Sequence, residues 1–307
     1  METLFASLSV MAGSLLAVQA GANTQLSKAV GSPFAATLLQ LTVAAVALTL
    51  VASLTGMLGV VADLWHVPWW HAIGGTASAF YVISTIVLFP RLGAVVSVGL
   101  FIAGQMLASL ALDGFGLLGV PRQPIDAATV VGTLAVLAAA AAIVLGQKGA
   151  VSEFSVSRCG WIVLALLAGA VLPVQGAVNG LLRADIGAPF TVGAVSFFVA
   201  TLSMAVALMS VIAFTDQPKP HLSQLAAVPW WGWLGGFAGA FYVTAVFTAI
   251  PVIGTAATVG LTVAGQQIAS VFVDSYGWFR LPIRPVSALR LGGVSMLIFG
   301  VAVIKLL

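Results

Sequence analysis

The chain has 307 residues, 61% of them hydrophobic and 6% charged, with a formal net charge of +3. Soluble domains carry roughly 25% charged residues, so this composition excludes a water-soluble fold and predicts a protein embedded in a lipid bilayer. The small positive surplus sits in loops, where it argues membrane topology and not nucleic-acid binding.

In chain order, apolar runs fall at 4–22, 34–56, 70–88, 94–112, 127–146, 160–181, 191–214, 230–250, 255–273 and 287–306. Each is near the ~20 residues a helix needs to cross ~30 Å of hydrocarbon. The expectation is an all-α integral membrane fold of ten transmembrane helices. The first run lacks a basic leader and aligns with the internal run 160–181, so it reads as a retained span and not a signal peptide. The single cysteine, Cys159, excludes an internal disulfide and suggests no catalysis.

The second half of the chain repeats the first. Val18-Gln19-Ala20-Gly21-Ala22-Asn23 is echoed by Val174-Gln175-Gly176-Ala177-Val178-Asn179, and Gly31-Ser32-Pro33-Phe34 by Gly187-Ala188-Pro189-Phe190. Pro68-Trp69-Trp70 recurs as Pro229-Trp230-Trp231, and Ala103-Gly104-Gln105 as Ala264-Gly265-Gln266. Between Pro68–Leu118 and Pro229–Phe279, 22 of 51 ungapped positions are identical. The expected organisation is therefore a five-helix repeat over 1–150 and a second over 151–307. Five is odd, so the second repeat enters the bilayer from the opposite side and the repeats are inverted. Loop charge agrees. With both termini outside, Lys28, Arg91, Lys148, Arg158, Lys219, Arg280, Arg284 and Arg290 lie inside, and Arg122, Arg183 and Lys305 lie outside.

Polar residues within such spans need a partner in the bundle or a wet cavity. They occur in symmetric pairs: Gln105 with Gln266, Tyr81 with Tyr242, Gln19 with Gln175, and Asn23 with Asn179. Ser109 and Ser270 follow the first pair at i+4 and share its helix face. These eight residues are the candidate substrate-binding set. An amide can bind a solute, tie two helices together or, near a span end, cap a helix, and the sequence leaves all three open. Trp69, Trp70, Trp230 and Trp231 fit interface anchors, and Gly74, Gly75, Gly235, Gly236 and Gly239 fit close helix packing. No Asp or Glu falls at mid-span; Asp113 and Asp274, eight residues past the glutamines, are the nearest candidates for proton coupling.

No phosphate-binding glycine loop is present, which counts against an ATP-driven pump. His66, His71 and His221 lack ligand spacing, so no metal and no cofactor is expected, and the mid-span residues supply no catalytic nucleophile and base.

The Gln19-to-Asn23 run, Gly31-Ser32-Pro33, Gly74-Gly75, Phe80-Tyr81-Val82 and Gly104-Gln105 resemble the YdcZ-like branch of the drug/metabolite transporter superfamily. Both halves match, and the chain is similar to a fused two-repeat form. The resemblance implies a carrier of the bacterial inner membrane with a central cavity formed by the first four helices of each half. Relatives elsewhere in the superfamily couple to protons through an acidic residue in the first helix, and the span 4–22 has none. The expected function is secondary transport, as an exporter, of a small polar metabolite or drug by alternating access, with the bilayer and a small solute as partners and a monomer or homodimer as the assembly. The rival is a membrane scaffold in which the amides serve only to join helices.

Overall fold

The computed structural model describes residues 1–145, 156–216, 219–283 and 288–306. The expected boundary at 150/151, and the topogenic Lys148 and Arg284, lie outside the described residues. Ten long helices carry the fold: α1 (Glu2–Val30), α2 (Pro33–Leu54), α3 (Gly75–Leu92), α4 (Ala94–Phe115), α5 (Ala127–Leu145), α6 (Val156–Ile186), α7 (Pro189–Phe214), α8 (Leu234–Ile253), α9 (Thr255–Tyr276) and α10 (Ala288–Leu306). Eight are long and apolar enough to cross a membrane; α5 and α10 contribute shorter apolar stretches, Ala127–Ala138 and Leu291–Gly300.

Turn chemistry sets the helix ends, and it is duplicated. α1 stops at Gly31, whose left-handed backbone (φ 70°) lets its N–H bond Ser27 O. Ser32 then caps α2 by accepting from the Ala35 N–H, with Pro33 in the first turn where its missing N–H costs nothing. Gly187 and Pro189 repeat this between α6 and α7. Left-handed positions recur as Gly93 with Gly254, Gly116 with Gly277, and the non-glycine pair Leu118 with Phe279.

Several boundaries differ from the sequence reading. α1 and α6 run to Val30 and Ile186, because no Pro or αL glycine falls between 22 and Gly31 or between 181 and Gly187, and polar residues such as Gln25 and Arg183 continue the helix. Gln19, Asn23, Gln175 and Asn179 therefore lie well inside their helices and cap neither end. α3 begins at Gly75, not 70, after a separate single turn, Trp69–Ala72. Trp69 and Trp230 are exposed at these starts, as expected of interface anchors.

The packing crosses between halves. α1 lies against α8 and α9, α6 lies against α3 and α4, α2 pairs with α7, and α5 pairs with α10. Exchanging the two halves leaves this pattern unchanged. Glycines make the crossings close: a Cβ on Gly13 would meet Thr262 O at 1.8 Å, and one on Gly169 would meet Phe101 O at 2.1 Å. Without a hydrophobic force between helices in lipid, this backbone approach supplies the van der Waals contact that joins them.

Contacts also sort the helix ends. The α1–α2 turn meets the α7–α8 loop, where the His221 N–H donates to Val30 O at 3.1 Å, and Gln25 Nε2 donates to Phe279 O at 2.7 Å. The start of α7 instead meets the α2–α3 loop, where Thr191 Oγ1 donates to Met57 O at 2.6 Å. The 22 residues of α2 separate these two ends by ~33 Å.

Candidate functional site

Tyr81 on α3 and Tyr242 on α8 lie within electrostatic range of one another. Around them the halves differ: the Tyr81 ring packs on Phe101 of α4 with centroids 5.2 Å apart, whereas Tyr242 has the side chain of Thr262, the residue of α9 equivalent to Phe101, beside its hydroxyl. Gln105 and Gln266 lie one turn beyond Phe101 and Thr262, on the same faces of α4 and α9. Gln105 is buried and Gln266 half-buried, while the neighbouring Gln267 is buried and has Met106 as its counterpart. The Ser109 hydroxyl, expected to share a site with Gln105, turns back to the Gln105 backbone O at 2.7 Å.

The other amides form two junctions, each built from both halves. In one, Gln175 of α6 and Ser78 of α3 bond reciprocally: Ser78 Oγ donates to Gln175 Oε1 at 3.0 Å, and Gln175 Nε2 donates to Ser78 Oγ at 2.8 Å. Ser196 of α7 accepts from Gln175 Nε2 at 3.4 Å and from Asn179 Nδ2 at 3.1 Å. This cluster ties α3, α6 and α7. The equivalent junction joins α1, α2 and α8, where Gly239 replaces Ser78 and Gln40 replaces Ser196. Here Asn23 Nδ2 reaches Thr37 Oγ1 at 3.4 Å, Gln19 packs against Gly239, and Gln40 lies against Gly235. Asn23 Oδ1 and Gln40 Nε2 are buried without a partner, as is Asn179 Oδ1 in the other junction.

Asp113, buried near the end of α4, accepts the N–H groups of Thr255 at 2.8 Å and Ala256 at 2.6 Å. It therefore caps α9, where the positive end of the helix dipole favours a carboxylate. Asp274 is half-buried at the matching place on α9. Nearby at this end, His71 Nδ1 pairs with Asp185 Oδ2 at 2.5 Å, bracing the turn before α3 against the end of α6. A polar cavity of about 340 Å³ beside it is lined by Asp63, His66, Val67, Pro68 and Asp185. No group of three or more potential metal ligands is found among the described residues.

Sequence reasoning missed Gln40, Ser78, Ser196, Thr262 and the His71–Asp185 pair. Gln40 is a lone amide in an apolar span, a usable signal, but a search for symmetric pairs passes over it because its counterpart is a serine. The His71–Asp185 contact joins residues 114 positions apart and no local pattern announces it.

A bundle of apolar helices whose two repeated halves pack across one another has the build of a membrane transporter. The chain belongs to the family described as "Putative inner membrane exporter, YdcZ", whose model matches residues 4–142 and 160–303. Membership supports a transporter role, rather than an enzymatic one, for a multi-pass inner-membrane protein. A solved structure described only as "Crystal structure of protein" is similar in fold, with a TM-score of 0.70 at 20% identity over 99% of this chain and 96% of that one. Comparison with curated proteins gives no match.

Proposed function

We propose that the protein is a secondary carrier, an exporter of a small polar metabolite or drug, that works by alternating access of two inverted five-helix repeats. The observation that carries this reading is the crossed packing of the two halves, which is unchanged when they are exchanged. Contacts of α1 with α9 advance in the same direction along both helices, from Ser14–Gly265 to Gln25–Phe279. Contacts of α6 with α3 run in opposite directions, from Ser78–Gln175 to His71–Asp185. Together with the sorting of the α1–α2 and α6–α7 turns to different ends, this supports repeats that enter from opposite sides. Ten crossings follow if α5 and α10, which pack on each other at the periphery, also span the bilayer.

In this reading Tyr81, Tyr242, Gln105 and Gln266 form the axial site, and Asn23, Asn179, Gln19 and Gln175 border it. Rocking one half against the other exposes the tyrosines first to one face and then to the other. Asp113 and Asp274 are the candidates for coupling, with Asp113 releasing the start of α9 when protonated. The reciprocal Gln175–Ser78 bonds favour the rival, helix-joining role for that one amide.

Saturable solute flux in proteoliposomes tests the proposal. Tyr81→Phe and Gln105→Ala are expected to cut flux at least tenfold while keeping a monodisperse, folded protein. Unchanged flux in both variants, or no flux by the wild type for any solute class, contradicts it.

A further inference from the structure

The connection between α2 and α3 lies as a strap over one end of the bundle. Its 3₁₀ helix, Met57–His66, and the residue after it turn Met57, Val60, Leu64 and Val67 toward the core, while Asp63, Trp65 and His66 are exposed. Two polar contacts hold it to the second half of the chain. Near its start, Met57 O accepts the Thr191 hydroxyl of α7 at 2.6 Å. Near its end, in the turn Trp69–Ala72, His71 Nδ1 meets Asp185 Oδ2 of α6 at 2.5 Å. The His71 side chain is 10% exposed and that of Asp185 31%, so this contact is sheltered, and water reaches it through the polar cavity of about 340 Å³ that Asp185 lines.

The two fastenings differ in chemistry. A hydroxyl on a carbonyl does not titrate. A neutral imidazole donates its Nδ1–H to the carboxylate, and a second proton on Nε2 turns the same contact into an ion pair. Histidine is the side chain suited to that change between about pH 5 and pH 8. The ionisable neighbours are few. Asp63 and His66 of the strap line the cavity with Asp185. On α6, Arg183 lies two residues before Asp185 and so ~200° round the helix from it. α2 and α7, which also pack against the strap, carry no ionisable residue. The Trp70 ring stands edge-on to His71 with centroids 4.0 Å apart.

We infer that the α2–α3 connection is a proton-sensitive strap, fastened to the end of α6 by His71 and Asp185 and held more firmly when the imidazole is charged. Protons then bind the docked strap more tightly than the lifted one, so acidification shifts the population toward docking until the carboxylate itself is protonated. The device belongs to one end of the molecule. In the copied junction at the other end, the equivalent positions are Gly232 and Ala29, which cannot titrate. His221, at that end, engages Val30 O through its backbone N–H. The inference concerns one connection and stands apart from the carrier reading.

The test places spin labels at Trp65→Cys and Ala184→Cys, both exposed, in the full chain with Cys159→Ser, reconstituted in phosphatidylcholine nanodiscs. Double electron–electron resonance then reads the distance between strap and α6. From about pH 8 to about pH 5.5 the ratio of short-distance to long-distance populations should rise about threefold or more. His71→Gln, which keeps a donor but cannot gain the charge, and Asp185→Asn should each flatten that response while retaining the melting transition. His66→Gln, changed at the exposed neighbouring histidine, should keep it. A distance distribution in the parent protein that ignores pH, a response that survives in His71→Gln, or one that disappears in His66→Gln would overturn the inference.

Discussion

The two amide junctions began as the same structure and now do different jobs. Around Gln175 and Asn179, Ser78 and Ser196 absorb the amide hydrogens in a network that ties three helices. Around Gln19 and Asn23, Gly239 and Gln40 stand at the equivalent positions, and Gln40 Nε2 is left over; the asparagine oxygens, Asn23 Oδ1 and Asn179 Oδ1, are unpartnered in both. One junction stabilises the bundle; the other retains hydrogen-bonding capacity at a cost in stability. Duplication gives the geometry twice, and two side-chain changes separate strength from availability.

The largest expected effect is at the glycines that let the helices meet. A Cβ on Gly75 would lie 1.8 Å from Ser196 O, a backbone atom, whereas one on its counterpart Gly236 would lie 2.7 Å from Gln40 O and the Val43 side chain. Gly75→Ala should therefore cost ~3 kcal/mol or more and broaden the size-exclusion peak, and Gly236→Ala distinctly less. Next comes the amide comparison. Gln175→Leu removes the bonds to Ser78 and Ser196 and strands the Ser78 hydroxyl, for a loss of ~2–3 kcal/mol in equilibrium unfolding. Gln40→Leu removes an unpartnered amide and should be neutral or stabilising. Equal losses in the two variants would break the comparison.

Asp113→Ala should cost ~1–2 kcal/mol by uncapping α9. The smallest effect belongs to the exposed Asp126, which accepts the Thr129 N–H at 2.8 Å where α5 begins; this bond holds its carboxyl below the ordinary aspartate range. Its contribution is complete above the ordinary aspartate pKa of ~3.9 and fades as pH falls through the lowered value. The slight gap in melting temperature between wild type and Asp126→Ala should therefore close on acidification below that point.

Much of the fold is legible in the sequence because lipid imposes it. Apolar runs mark the order of the long helices, and the copied Gly-X-Pro turns fix where the first and second helices of each half meet. The lengths of α1 and α6 were harder to see, since Gln25 and Arg183 look like loop residues while the backbone needs a glycine to stop. For the site, symmetric pairing singled out Tyr81 and Tyr242, which lie within electrostatic range of one another. The same criterion hid Gln40, because a residue that has diverged from its copy leaves no pair. Partner choice was out of reach: that α1 packs on α8 and α9 depends on backbone contacts such as Gly13 with Thr262, which only the folded chain brings together.

The account turns on the two halves threading the membrane in opposite senses. Gly59 in the α2–α3 loop and Asp216 in the α7–α8 loop are exposed, and nothing lies within 4 Å of a Cβ on Gly59. In a Cys159→Ser background, single cysteines at these positions can be probed on intact cells with a membrane-impermeant maleimide. The account predicts labelling from outside at residue 59 and protection at residue 216 until the membrane is opened. Labelling of both from the same side would contradict it.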